Sequence, residues 1–195
     1  ETAPTPTANQ EVTLAGTVED ADGNALPGVP VTVTASGFLF EVGSNYTLDS
    51  VTLWTDSDGD YSFNLYSTVG GTQTVTLTAG SATADVELKF APGTSATDAL
   101  TVAAPSTGTA GSTTNIVATV KDKFGNPVEG ATVDFAAAGV GYLAQASVTS
   151  DANGVAVGKL VTSVLDDGDA VVTVSVSGND DIAEQSVTIS FGSAA

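Results

Sequence analysis

Apolar and polar residues alternate along most of this chain. In Glu11–Val18 (EVTLAGTV), Val12, Leu14 and Val18 share one register. In Pro30–Ala35 (PVTVTA), Val31 and Val33 fall on one face and Thr32 and Thr34 on the other. Thr72–Ala79 (TQTVTLTA) and Val171–Gly178 (VVTVSVSG) repeat the pattern. A period of two, rich in Val and Thr, predicts half-buried antiparallel strands. Gly, Asn, Asp and Pro interrupt the runs about every 8–12 residues, as an all-β sandwich requires. The Ala-rich pieces ATDALTVAA and FAAAG are short and flanked by Gly, Thr or Pro, so no helix is predicted.

The strand pattern occurs twice. GTVEDADGNALPGVPVTV (Gly16–Val33) aligns with ATVKDKFGNPVEGATVDF (Ala118–Phe135), pairing Asp20 with Asp122, Gly23 with Gly125, Asn24 with Asn126 and Gly28 with Gly130. TDSDGDYSF (Thr55–Phe63) aligns with SDANGVAVG (Ser150–Gly158), and ATADVELKF (Ala82–Phe90) with AEQSVTISF (Ala183–Phe191). The order holds over the half-chain. The expected fold class is therefore all-β, two tandem immunoglobulin-like β-sandwiches, each roughly 80–95 residues long. The expected boundaries are an N-terminal extension or linker over 1–10, a first sandwich over 11–92 and a second over 93–195, joined by a short linker near Ala91–Thr97. ETAPTPTANQ fits either a mature N-terminus or an inter-module linker.

Composition narrows the chemistry. The chain has 195 residues with 4 Lys+Arg, 23 Asp+Glu and no His, a net charge of −19. Nucleic acid and anionic membranes are bound by clustered cations, so neither is an expected partner. No stretch reaches the roughly 20 apolar residues of a membrane helix, so no membrane insertion is expected. The absence of Cys and His removes thiol nucleophiles, His-based triads and the usual zinc ligands. An acidic surface attracts cations, Ca²⁺ included.

Acidic loops are the candidate sites. Asp56, Asp58 and Asp60 in WTDSDGDYSF sit at alternate positions, as in a calcium loop, but Gly59, Tyr61 and Ser67 are out of register for an EF-hand. The competing reading is a tight turn using Asp-Gly. The aligned Asp151-Ala-Asn-Gly154 keeps one carboxylate, so the turn itself needs no metal. Were both loops at one sandwich end, Asp20, Asp22, Asp56, Asp58 and Asp60 could share a Ca²⁺ ion. No cofactor is required, and Ca²⁺ is the one ion considered. The carboxylates of LDDGD and GNDDIAE read as solvated turns. A glycosidase needs a paired acid and base with an aromatic sugar groove, and one Trp and four Tyr do not supply it. The chain is not expected to be an enzyme. The apolar segment SGFLFEVGSNY contributes Phe38, Phe40 and Tyr46, either as core together with Trp54 or as a partner-contact patch. Lys89, in a terminal strand, is expected to face outward.

The second copy, KDKFGNPVEGATVDF followed by TSDANGVAVGKL and VVTVSVSG, resembles the bacterial immunoglobulin-like repeats of invasin- and intimin-type adhesins. The first, with GNALPGVPVTV and the extra SGFLFEVGSNYTLDSVTL, is also similar to prealbumin-like sandwiches of collagen-adhesin B-type stalks. The resemblance implies an exported, extracellular or cell-surface protein. It implies a non-catalytic structural and interaction module: a surface-layer, filament or adhesin-stalk subunit. Its partners would be neighbouring modules or copies of itself. The alternative is an adhesin binding module that recognises a host protein or glycan through loops at one sandwich end.

Overall fold

The computed structural model describes residues 5–92, 99–179 and 181–192. Fifteen strands and no helix are present among them. The chain divides into two compact units, Glu1–Gly93 and Thr94–Ala195.

The first unit contains β1 (Val12–Thr17), β2 (Pro30–Val42), β3 (Asn45–Trp54), β4 (Asp60–Ser67), β5 (Gly71–Ala79) and β6 (Ala82–Phe90). They form a six-stranded sheet, β1-β4-β2-β5-β6, with β3 on β2. The long strand β2 belongs to both halves. Val31–Thr34 pair with β5, whereas Phe38–Glu41 pair with β4. The change of partner occurs at a bulge between Thr34 and Leu39, where Gly37 has φ 79°. A bulge adds local bend and twist, so one strand can serve both layers of a sandwich.

The period-two pattern holds in the core strands. Val31, Val33 and Ala35 on β2 and Val75 and Leu77 on β5 are buried, while Thr34 and Thr74 beside them are exposed. Phe38, Phe40, Phe63 and Phe90 form the aromatic centre, with ring pairs 5.9–6.2 Å apart. Aromatic pairs at these separations add to simple area burial.

The second unit contains β7 (Ala99–Ala103), β8 (Thr107–Thr109), β9 (Thr113–Lys121), β10 (Thr132–Gly139), β11 (Tyr142–Leu143), β12 (Ser147–Thr149), β13 (Val155–Val161), β14 (Gly168–Val176) and β15 (Gln185–Gly192). Its sheets run β12-β10-β14-β15-β8 and β11-β13-β9-β7. Ile116, Val120, Val133, Leu160, Val172 and Ile189 are fully enclosed between them.

The segment expected to be an extension packs on the first unit where it is described. Thr7 bridges Ala91 in parallel, and Ala8 is buried. The Ala8 and Ala91 amides donate to Ala91 and Pro6 carbonyls at 2.8 Å. This is the geometry of β8, which pairs in parallel with β15 in the second unit. TANQ therefore corresponds to TAGS at Thr109–Ser112: Ala8 and Ala110 are both buried, and Asn9 (φ 65°) stands where Gly111 has φ 79°. Thr and Pro composition masked this bridge, because a single parallel pairing carries no alternation. The linker placed near Ala91–Thr97 lies largely outside the described residues.

The two readings of SGFLFEVGSNY divide by residue. Phe38 and Phe40 are core and do not form a partner-contact patch, since their alternation on β2 points both rings inward. Trp54, expected as core, is 66 % exposed. Leu53 opposite Val31 takes the inward position, so the next residue, opposite Pro30, must face out.

Substitution tests this division. Phe40→Ala is expected to destabilise the first unit by about 3–5 kcal/mol, read as a shifted denaturant midpoint. Trp54→Ala is expected to cost less than about 0.5 kcal/mol. Comparable losses would contradict the burial pattern.

Candidate functional site

The candidate acidic residues of the first unit lie in two turns. In the first, the Asp20 amide donates to the Asn24 carbonyl at 2.9 Å and the Gly23 amide to the Asp20 carbonyl at 3.1 Å. Asp20 Oδ1 accepts from the Asp22 and Asn24 amides, both at 2.9 Å, and Oδ2 from Asn24 Nδ2 at 2.9 Å. In the second turn, the Asp56 amide donates to the Asp60 carbonyl, and Asp56 Oδ1 accepts from the Asp58 and Asp60 amides at 2.9 and 3.0 Å. Both are D-x-x-G-x turns in which the first aspartate ties down the backbone two and four residues on.

The second unit has the same pair. Asp122 Oδ1 accepts from the Phe124 and Asn126 amides, and Asp151 Oδ1 from the Asn153 and Val155 amides, all at 2.8–2.9 Å. The two turns of each unit are coupled through backbone. The Val18 amide donates to the Gly59 carbonyl, and the Leu26 amide to the Val18 carbonyl. Val120 makes the equivalent bonds with Gly154 and Val128. Gly59 has φ 77°, and a Cβ there would lie 3.0 Å or less from Leu26 N, Ala25 Cβ and Val18 O. At Gly154 it would lie 2.4 Å from the Val120 carbonyl oxygen. Glycine is thus required by both conformation and space.

A buried hydroxyl completes the coupling. Thr55 Oγ1 donates to the Leu26 carbonyl at 2.7 Å and accepts from the Val29 amide at 2.9 Å. Ser150 Oγ does the same with Val128 and Ala131 at 2.7 and 2.9 Å. Pattern reading passed over these residues. Their signal was present in the repeat, where a hydroxyl residue precedes the turn aspartate in both copies.

The structure brings the two turns side by side through Gly59 but turns their leading carboxylates onto their own backbones. Asp60 Oδ1 accepts from Thr17 Oγ1 at 2.6 Å. Among the described residues, no three acidic side chains converge where a metal ion could be held. The Asn24 side chain, with the turn amides, holds the Asp20 carboxyl below its usual value near 3.8. The Val155 and Asn153 amides do the same for Asp151. The Asp122–Asn126 pair is buried, whereas its counterpart Asp20 is exposed.

Tyr46 lies elsewhere, on β3, and is 58 % exposed. Its hydroxyl donates to Glu41 Oε1 at 2.8 Å, and that of Tyr66 lies 2.7 Å from Glu41 Oε2 and also against Glu11. The two tyrosine hydroxyls, Tyr66 first, lower the Glu41 pKa. The carboxylates of Glu11 and Glu41 raise that of Tyr66. With Leu48 and Trp54 also exposed, β3 presents large apolar side chains along an edge strand paired on one side only. Lys89 is exposed, as alternation requires.

Residues 5–91 match the bacterial Ig-like domain (group 1). No curated protein matches the sequence. Among solved structures, invasin, a bacterial integrin-binding protein, is 28 % identical over 97 % of this chain, with a TM-score of 0.51. The chain spans 38 % of that structure's length. FdeC, an Escherichia coli adhesin, is 23 % identical over 98 % of this chain and 62 % of its own, with a TM-score of 0.52. InvD of Yersinia pseudotuberculosis is 17 % identical over 97 % of this chain and 55 % of its own, with a TM-score of 0.62. The last two likenesses establish the sandwich fold alone.

The turn geometry sets distinct costs. Asp56→Ala is expected to cost about 1 kcal/mol and Asp122→Ala about 2–3 kcal/mol, the larger value because the hydrogen bond from Asn126 Nδ2 to Asp122 is lost in a buried site. Asp58→Ala should stay within about 0.5 kcal/mol. Chemical denaturation checks all three. Because the folded carboxyls of Asp20 and Asp151 titrate below their unfolded values, their contribution is complete above the unfolded pKa and is lost as pH falls through the folded one. The melting temperature should be level from about pH 7 to 5 and fall below about pH 4. Asp20→Asn with Asp151→Asn should flatten that fall.

Proposed function

We propose, proceeding from the group 1 bacterial Ig-like domain that residues 5–91 form, that this chain is a non-catalytic structural and interaction module of an exported prokaryotic cell-surface protein. The observation that carries this reading is the use made of the polar groups. The leading acid of every D-x-x-G-x turn is tied to its own backbone, and the buried hydroxyls of Thr55 and Ser150 join turn to turn. Such a site stiffens one end of a sandwich and presents no activated nucleophile or acid–base pair. The likeness to invasin over nearly the whole chain supports an extracellular setting. The net charge of −19 suits a soluble stalk or lattice element that needs no disulfide.

A second reading, recognition of a protein or glycan, is favoured by one observation. Tyr46, Leu48 and Trp54 stand exposed on the edge strand β3 rather than on loops. Exposed aromatics on an unpaired edge suit strand addition or a stacked ring.

Antibody labelling and protease shaving of intact cells test the first reading. The chain should be accessible on whole cells, and full protection until lysis would refute it. Electron microscopy of the purified chain with and without millimolar Ca²⁺ separates the forms. Ordered sheets or fibres in Ca²⁺ identify a lattice subunit, and single particles in both a stalk module. A Tyr46→Ala/Trp54→Ala variant that retains stability but no longer adheres to host cells would establish the second reading.

A further inference from the structure

The β2–β3 hairpin is where the first unit departs from the repeat, and its tip carries a motif that neither the turns nor the core use. Of the eight asparagines in the chain, Asn45 alone is followed two positions on by Ser or Thr, in Asn45-Tyr46-Thr47. Asn-x-Ser/Thr with no proline between is the acceptor pattern of N-linked glycosylation. Three residues match such a pattern easily by chance, so what the fold does with them decides its meaning.

Gly43 (φ 61°) and Ser44 form the turn, and Val42 and Asn45 pair across it. Next along the hairpin, Glu41 pairs with Tyr46, Phe40 with Thr47 and Leu39 with Leu48. The register then shifts. Asp49 (φ 63°) follows, and its Oδ1 accepts from the Gly37 amide at 2.6 Å. Between the turn and this irregularity the motif is held extended. Successive side chains of a strand point to opposite faces, so Asn45 and Thr47 project from one face and Tyr46 from the other. The Tyr46 hydroxyl donates to Glu41 Oε1 and ties the middle residue to the neighbouring strand. The acceptor carboxamide and the hydroxyl two residues on thus stand on the same side of the hairpin. Asn45 and Thr47 are both exposed. Among the described residues, neither the Asn45 carboxamide nor the Thr47 hydroxyl makes a hydrogen bond. Other asparagines serve the fold: Asn24 and Asn126 donate to their turn aspartates, and Asn64 accepts from Thr13 Oγ1.

We propose that Asn45 is a modification site, the attachment point of an N-linked oligosaccharide. The inference rests on the reading of the chain as an exported protein, since this pattern is used in secreted proteins. The chain supplies only the acceptor. The donor is an oligosaccharide carried on a polyprenyl phosphate or pyrophosphate, and a transferase brings the two together. A bond forms between Asn45 Nδ2 and the anomeric carbon of the first sugar. The bond from that carbon to the carrier's phosphate oxygen breaks, and the phosphate leaves with the bonding pair. Nδ2 gives up one proton to solvent, and nothing is oxidised or reduced. The sugar stands on the face of the hairpin that holds Thr47, beside Val42, which packs against the rim of the core. It adds hydrophilic bulk there. Tyr46 and Leu48 alternate to the other face, so the sugar leaves their side of the hairpin free.

Mass spectrometry of the protein recovered from the cells that make it tests the site. Cleavage after Glu41 and Asp49 releases Val42–Asp49, which should carry added mass equal to whole sugar residues, fragmenting to place it on Asn45. Asn45→Gln and Thr47→Ala should each lose that mass, and Thr47→Ser should keep it. All three variants should keep the melting temperature of the parent without sugar, because both side chains are exposed and unbonded. An unmodified Val42–Asp49 in chain that surface labelling reaches overturns the proposal and leaves the surface reading intact. So does a mass that persists in Thr47→Ala, which marks a different chemistry. Chain that surface labelling never reaches sinks the surface reading instead. The site is then decided by routing the same 195 residues, behind a cleavable signal peptide, through the secretory pathway of a eukaryotic cell. Sugar on Asn45 that peptide N-glycosidase removes, leaving Asp, upholds the acceptor geometry, and a bare Asn45 refutes it.

Discussion

The approach of a glycine backbone to a strand carbonyl organises each sandwich. Gly59 sits so close to Val18, Ala25 and Leu26, and Gly154 to Val120, Pro127 and Val128, that no side chain fits between them. That approach lets two turns, distant in sequence, share hydrogen bonds through one valine. The D-x-x-G-x turns are stable locally, but only this contact makes them a single rigid sandwich end. The hydroxyls of Thr55 and Ser150 follow from the same constraint. Once two turns are pressed together, the carbonyl and amide left between them are out of reach of water and need a partner.

This arrangement accounts for the absence of a metal cage at the D-x-x-G-x turns among the described residues. A carboxylate that satisfies amides two and four residues on is already saturated along one side and points along its own loop. Asp20, Asp56, Asp122 and Asp151 all do this. The additional acids, Asp22, Asp58 and Asp60, occur in the first unit alone and add charge to a turn that works without them in the second. A low count of cations leaves that charge uncompensated, which keeps the surface soluble and biases any partner toward neutral or basic chemistry.

The two units share a core plan and differ at their edges. The first has a β2–β3 hairpin that spans both layers and exposes Tyr46, Leu48 and Trp54; the corresponding edge strand of the second, β12, has three residues. Among the described residues β1 pairs with β4, whereas β9 in the second unit pairs with both β13 and β7. Duplicated cores with divergent edges are what a structural module needs if its ends and edges are where it meets other chains.

The sequence by itself determined the strand class, the duplication, the turn positions and the burial of Phe38 and Phe40 as one face of β2. Each of these is local: period-two alternation, repeat spacing and glycine at fixed offsets are written into contiguous residues. Tertiary structure decided the rest. Trp54 faces solvent because β3 registers on β2 through Leu53 and Val31, a pairing no single strand encodes. Thr7 bridges Ala91 and Ala8 is buried because Ala91 lies beside them, although the segment's own composition reads as linker. Side-chain direction is likewise a tertiary matter: the carboxylates of Asp20 and Asp56 accept from the amides of their own turns.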